Sequence, residues 1–213
     1  GQPLPDKAIL LTFDDGKKDV YTRVFPLLKF FRYPAVIALV GEWLEVPPGG
    51  TVDYDGKQLP RSDFVTWDEV RKMMASGLVE VASHAYDLHR GLPSNPQGNT
   101  QPAAIVRHYL GNGRYESDAI YAERIRQGLL SIIAKRTGQA PRVIVWPYGR
   151  SNDTARKIAA DLGMNVGLTL EDGWNDNMTP LASLRRHLIE HSPSLEEFAG
   201  LLRSAWPSDP MRS

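Results

Sequence analysis

LLTFDDGKKDVY, residues 10–21, ends a short apolar run with two adjacent carboxylates, Asp14 and Asp15, followed by a glycine. Like charges in contact repel and push one carboxyl pKa upward, so a chain that crowds them at a strand end needs a cation to offset them. Behind the acidic turn, apolar residues recur at Val20, Val24, Leu27, Leu28 and Phe31, which is helical spacing. Strand, acidic turn and helix in that order form the opening unit of an α/β chain.

The alternation continues to the end of the sequence. Residues 35–40 read as a second strand. Residues 41–64 hold Pro47-Pro48-Gly49-Gly50 and Asp55-Gly56, turn chemistry that predicts an inserted excursion or small hairpin. Thr66-Trp67-Asp68-Glu69 is a capping box that opens a helix, and Gly77 stops it. A third strand follows at 78–83. Residues 90–116 form a second insertion, a Pro-, Gly- and Asn-rich loop longer than compact domains usually carry without a functional reason. Ser117 caps a helix whose apolar face runs Tyr121, Ile125, Leu129, Ile132 and Ile133, up to Lys135, Arg136 and Gly138. Strands at 143–146, 166–170 and 184–189 and helices at 152–162 and 194–202 complete the pattern. It predicts a mainly parallel sheet, open or closed into a barrel, with function at the carboxyl ends of the strands. About six strands are too few to close a barrel.

Composition narrows the function classes. At 213 residues the chain fits one domain, or one domain with a small appendage. Lys plus Arg equals Asp plus Glu at 25 each, so the balance gives no electrostatic case for nucleic acid or an anionic membrane. With no cysteine, thiolate chemistry and disulfides are excluded. No apolar run approaches the ~20 residues of a membrane span, and no signal peptide is visible at the Gly1 end. The expectation is a soluble domain cut from something longer.

On this frame the chemistry-bearing side chains collect at one rim. Asp14 and Asp15 follow the first strand, His84 follows the third, and His89 comes five residues later in SHAYDLH. On an α-helix, five residues would leave the imidazoles roughly 140° apart, so they converge only across a turn. Two neutral imidazoles and one carboxylate suit a divalent transition metal with positions open to water, leaving the second Asp as a base. Zn, Ni, Co and Fe fit such a donor set equally. The alternatives are that Asp-Asp-Gly merely caps the next helix and that the histidines lie in a solvated loop. Phosphoryl transfer fits poorly: the aspartates are adjacent, where haloacid-type phosphatases need Asp-x-Asp, and no phosphate-cradling glycine loop is present.

TFDDG (12–16), SHAYDLH (83–89) and WPYG (146–149), each after a strand, resemble the successive motifs of the NodB-homology polysaccharide deacetylases, carbohydrate esterase family 4. PLPDKAILLTFDDG, VYTRVFPLLKFF, VEVASHAYDLH, RYES, VIVWPYG and SPSLEEFAGLL are similar to the poly-β-1,6-N-acetyl-D-glucosamine N-deacetylase branch. The resemblance implies a distorted (β/α) barrel, possibly lacking an N-terminal strand in this chain, that hydrolyses acetamide groups of an N-acetylglucosamine polymer in the periplasm. It implies Asp15, His84 and His89 as ligands of one divalent metal and Asp14 as the general base for the attacking water. The Tyr148 backbone N–H would be an oxyanion donor on a turn fixed by Pro147. Trp174, with Trp146 and Tyr86, would shape the sugar pocket. Where the family often has an arginine that orients the base, this chain has Val145, with Arg150 and Arg23 as replacements by location. His187, or His191 just after it, is the internal choice for the acid of the leaving amine. In the resembling branch, however, that histidine lies upstream of TFDDG. The single domain 1–213 is therefore expected to be part of a larger two-domain protein with a glycoside-hydrolase-like domain downstream, and to bind metal yet deacetylate poorly alone.

Overall fold

A computed structural model describes residues 8–130, 132–189 and 192–204; His191 lies outside these. In chain order the elements are β1 (Leu11–Phe13), α1 (Phe25–Phe31), β2 (Ala35–Leu39), α2 (Gly41–Glu45), β3 (Thr51–Tyr54), β4 (Lys57–Pro60), α3 (Trp67–Ala75) and β5 (Val79–Ser83). They continue as β6 (Gly91–Pro93), β7 (Thr100–Pro102), β8 (Tyr109–Gly111), β9 (Arg114–Tyr115), α4 (Asp118–Leu129), α5 (Ile132–Thr137), β10 (Val143–Val145), α6 (Asp153–Asp161), β11 (Val166–Leu168) and α7 (Leu195–Ser204).

Five strands form one parallel sheet in the order β1-β2-β5-β10-β11, curled into a half-barrel. Strands buried on both faces read as continuous apolar runs, as AVIAL of β2 does. One face packs Ile37 and Leu39 against Phe64, Val70 and Met73. The other gathers Val36, Ala38, Ala82, Val145 and Leu168. The capping box forms as expected: Thr66 accepts from the Glu69 N–H and Glu69 accepts from the Thr66 N–H. Ser117 and Asn152 cap α4 and α6 through the N–H groups of Ile120 and Ala155.

Three expectations change. Residues 184–189 form no strand among the described residues. After one parallel bridge, Leu168 to Leu184, the side-chain amide of Asn175 pairs with both main-chain groups of Arg185 (2.8 and 2.9 Å), and the Arg186 N–H turns to the Glu171 carbonyl. The Thr169 carbonyl, which the next rung would use, accepts the Arg186 Nε instead (2.9 Å). The helix expected from Ser117 toward Gly138 breaks into α4 and α5, with Leu130 leaving helical geometry at ψ 111°. Finally, the 90–116 insertion is built of two hairpins, β6–β7 and β8–β9. Arg124 pins it, donating to both oxygens of the buried Glu116 and to the carbonyls of Ala103 and Val106.

The first insertion behaves as predicted. β3 and β4 pair around Asp55-Gly56, whose φ values of 50° and 82° are those of a tight two-residue hairpin turn. Arg61, buried at the foot of the hairpin, donates to the carbonyls of Leu44, Phe64 and Val65. The Val65 N–H in turn reaches the Gly16 carbonyl, so the hairpin is anchored to the acidic turn.

Candidate active site

Asp15 occupies the left-handed region at φ 71°, which turns its carboxylate back over the rim of the sheet. The loop after β5 also turns sharply, at Ala85 (φ 64°), where the Ala85 N–H is held by Ser83 Oγ. The N–H groups of Gly41 and Glu42 at the start of α2 hold the carbonyls of Ala85 and Tyr86. Gly128 of α4 lies so close to Leu88 that a Cβ there would meet it at 2.5 Å. This closely supported turn brings His89 back beside His84, with ring centroids 5.0 Å apart.

The Nε2 atoms of His84 and His89 each stand 3.5 Å from Oδ1 of Asp15. That oxygen is buried and has no hydrogen-bond partner, while Oδ2 accepts the Tyr54 hydroxyl at 2.6 Å. Nδ1 of His84 lies 2.6 Å from the Val145 carbonyl and must donate to it, so Nε2 carries the lone pair that faces Asp15. Burial, reinforced by the neighbouring His84, lowers the His89 pKa and favours its neutral, ligating form. The three ligand atoms lie within 4.8 Å of one another. An orphaned buried carboxylate oxygen between two imidazole Nε2 atoms is the donor set and spacing that a divalent transition metal requires.

Asp14, next in chain, is held separately. Arg186 grips it with two bonds of 2.9 Å and is itself braced by Thr12 Oγ1 and the Thr169 carbonyl. Burial alone would raise the Asp14 carboxyl. The Arg186 guanidinium, with the nearby imidazoles, outweighs it and holds Asp14 below the usual carboxylate range, ionised at neutral pH. The cation expected in place of the arginine absent at Val145 is therefore Arg186. Arg150 lines the neighbouring cavity instead, and Arg23 lies in the π-helical turn before α1.

Tyr148 stands at the same rim in a left-handed turn (φ 55°, ψ 17°), its ring 4.6 Å from that of His89 and its hydroxyl donating to Asp55. Trp43 covers His89 from the other insertion, at 4.8 Å between centroids. Beside them a cavity of about 950 Å³ is lined by Trp43, Asp55, Asp87, His89, Thr100 and Tyr148, among others. Of the six described non-glycine residues with positive φ, Asp15, Asp55, Ala85 and Tyr148 all lie around this centre. Each such conformation costs about 1–3 kcal/mol and persists only where its surroundings impose it.

The other expected residues are elsewhere. Trp146 is 1% exposed and packs in the core with Leu88, Ile144 and Ala155. Tyr86 lies over Gly41 and beside Ile132. His187 gives Nδ1 to Asp172 and packs at a tilt against Trp174, centroids 4.4 Å apart. His187 thus sits with Asp172 and Trp174, while the residue before it, Arg186, reaches Asp14. Sequence reasoning missed Arg186, Tyr54 and Asp55. Their partners are distant in sequence, although the DYDG turn at 53–56 marked the hairpin tip that delivers two of them.

A facial Asp-His-His set at the carboxyl ends of a parallel sheet, with an ionised carboxylate beside it, defines an α/β half-barrel protein with one candidate metal centre at its rim. The chain belongs to the polysaccharide deacetylase family, whose model matches residues 1–167. It is 40% identical over its whole length to the poly-β-1,6-N-acetyl-D-glucosamine N-deacetylase of Escherichia coli (strain K12), of which it spans only 32%. Among solved structures it resembles the BpsB deacetylase domain of Bordetella bronchiseptica, with TM-score 0.83 and 49% identity over 87% of this chain and 72% of that one. It also resembles a de-N-acetylase from Aggregatibacter actinomycetemcomitans, with TM-score 0.86 and 39% identity over 94% and 77% of the two chains.

Proposed function

We propose that the chain is the deacetylase domain of a hydrolase that removes acetyl groups from poly-β-1,6-N-acetyl-D-glucosamine, with one divalent transition metal held by Asp15, His84 and His89. The observation that carries this is the buried, unpartnered Oδ1 of Asp15 facing two imidazole nitrogens. A divalent ion bound there supplies Lewis acidity, lowering a water pKa toward ~7 and polarising an amide carbonyl. Asp14, kept ionised and aimed by Arg186, takes the proton of the attacking water. The Tyr148 N–H, on a turn locked by Pro147 and by the Asp55 contact, donates to the oxyanion that forms on the acetyl carbon. One such donor is worth ~3 kcal/mol, and as a main-chain group it survives side-chain substitution. The cavity beside His89 takes the polymer, and the partly exposed Trp174, beside His187, offers a further sugar contact.

We place the acid for the leaving amine on a group other than His187: its Nε2 is buried and free of hydrogen bonds, but its ring is held with Asp172 and Trp174 rather than among the residues of the centre. That observation also favours a second reading, a polymer-binding domain with impaired hydrolysis. The periplasmic setting and a further glycoside-hydrolase-like domain belong to the same proposal; the greater length of the Escherichia coli relative accords with the latter. No helix among the described residues is long and apolar enough to cross a membrane.

Acetate release from β-1,6-linked N-acetylglucosamine oligomers, after metal is stripped and restored, tests the proposal, with Asp14→Asn and chitin oligomers alongside. Slow, metal-dependent release that disappears in Asp14→Asn is expected. Release unaffected by chelation would overturn the metal assignment. Oligomer binding without release would establish the second reading, and faster release from chitin would move the linkage.

A further inference from the structure

The two oxygens of Asp15 have different surroundings. Oδ1 faces the imidazoles and is bonded to nothing, whereas Oδ2 accepts the Tyr54 hydroxyl. Tyr54 comes from the β3–β4 hairpin, not from any strand of the central sheet. Its ring lies near parallel to His89, 22° between planes and 6.4 Å between centroids, and packs against Trp43 at 5.2 Å. Lys17 Nζ stands 3.9 Å from its centroid. The next residue, Asp55, accepts from Tyr148. The tip of one hairpin thus touches a metal-ligand carboxylate with one residue and the oxyanion turn with the next.

A carboxylate can ligate through one oxygen or through both, and the second mode consumes a coordination position. A hydroxyl donating to Oδ2 occupies the lone pairs that the second mode uses and holds the carboxylate plane in a single orientation. Hydrolysis at a site with three protein ligands needs the remaining positions for a water and for the substrate carbonyl. We propose that Tyr54 is a positioning residue that keeps Asp15 a one-oxygen ligand and thereby keeps those positions open. The proposal rests on the metal-dependent deacetylase reading. It adds a determinant that lies outside TFDDG, SHAYDLH and WPYG, on an insertion that a purely structural view would treat as decoration.

Tyr54→Phe removes the hydroxyl and keeps the ring, so its contacts with Trp43 and His89 persist. In the cobalt-loaded protein the visible spectrum reports coordination number directly, whether or not acetate is released. The expected result is a shift to the weaker bands of a higher-coordinate site. With it, kcat should fall about 10–100-fold, the range usual for loss of a group supporting a metal ligand, while KM changes little. Tyr54→Gln, which restores a donor, should recover part of the wild-type spectrum, and it serves as the informative variant if Tyr54→Phe fails to fold. Asp55→Asn should leave the cobalt spectrum unchanged, because its contact is with Tyr148. An unaltered cobalt spectrum and kcat in Tyr54→Phe would overturn the proposal. A wild-type protein that binds cobalt but releases no acetate would overturn the deacetylase reading instead, with the spectra still deciding the role of Tyr54.

Discussion

His84 and His89 face Asp15 across gaps of 3.5 Å with no hydrogen bond to its buried Oδ1, whereas His187 engages Asp172 directly. The carboxylates differ as well, Asp15 being 17% exposed and Asp172 83%. The direct contact occupies His187 Nδ1 and the Asp172 carboxylate, so the gap between carboxylate and imidazole is closed there and only His187 Nε2 stays unpartnered. A buried gap between lone pairs is costly unless something fills it. Residue types alone do not separate the two arrangements. The carboxylate does: Asp15 keeps a buried oxygen unpartnered between two imidazoles, while the exposed Asp172 already takes the Nδ1 of His187.

The sharpest way to break that contrast is to delete one member of each arrangement and titrate metal. His84→Ala should weaken metal binding by more than about 100-fold in a chelator competition, since a direct ligand outweighs a supporting group. Asp172→Ala should stay within about fivefold, as expected for an exposed carboxylate outside the Asp15, His84 and His89 cluster. Equal losses would erase the distinction. Arg186→Met probes the carboxylate beside the metal. Losing two charge-assisted hydrogen bonds should lower kcat about 10–100-fold. Because Arg186 holds the Asp14 pKa down, the variant should lose activity at a higher pH on the acid side; an unshifted acid limb would show that Arg186 does not tune the base.

Smaller effects separate the site from its scaffold. Burial alone would raise the Glu116 carboxyl, but Arg124 and the His108 N–H hold it below its ordinary 4.5. Its stabilisation is therefore complete above that value and is lost as pH falls through the lower folded-state value. Glu116→Gln should cost about 1–3 kcal/mol in neutral denaturant titrations and flatten the acid limb of stability against pH. A variant as stable as the wild type would show that the 90–116 hairpins need no such anchor. The smallest expected effect is that of His187→Ala, with acetate release within about twofold of wild type, as for a group that touches no reacting atom. A collapse of kcat would restore His187 as the acid.

Much of the centre is legible in the sequence because parallel strands deliver their carboxyl ends to one rim, so residues placed just after strands meet. Asp14, Asp15 and His84 follow from that rule, and His89 from the requirement for a turn. Arg186 is not legible: it meets Asp14 across 172 positions, from a segment whose apolar pattern looks like a strand but whose main chain is satisfied by Asn175. Trp146 misleads for a related reason, because a strand buried on both faces gives no alternation from which to tell inside from outside. Tyr54 and Asp55 lie in a segment whose composition announces a turn and nothing more. The fold is written in periodicity, and these contacts are written in where a loop happens to fold back.

The bond from His84 goes to the main chain of residue 145, not to its side chain. Every amino acid brings the same acceptor to that position, so the histidine's tautomer survives any mutation there that leaves the strand in place. The position is thereby relieved of chemical duty and free to serve packing, as a fully buried valine does. With Arg186 holding Asp14 from another segment, position 145 needs no charged side chain to serve either the carboxylate or the imidazole.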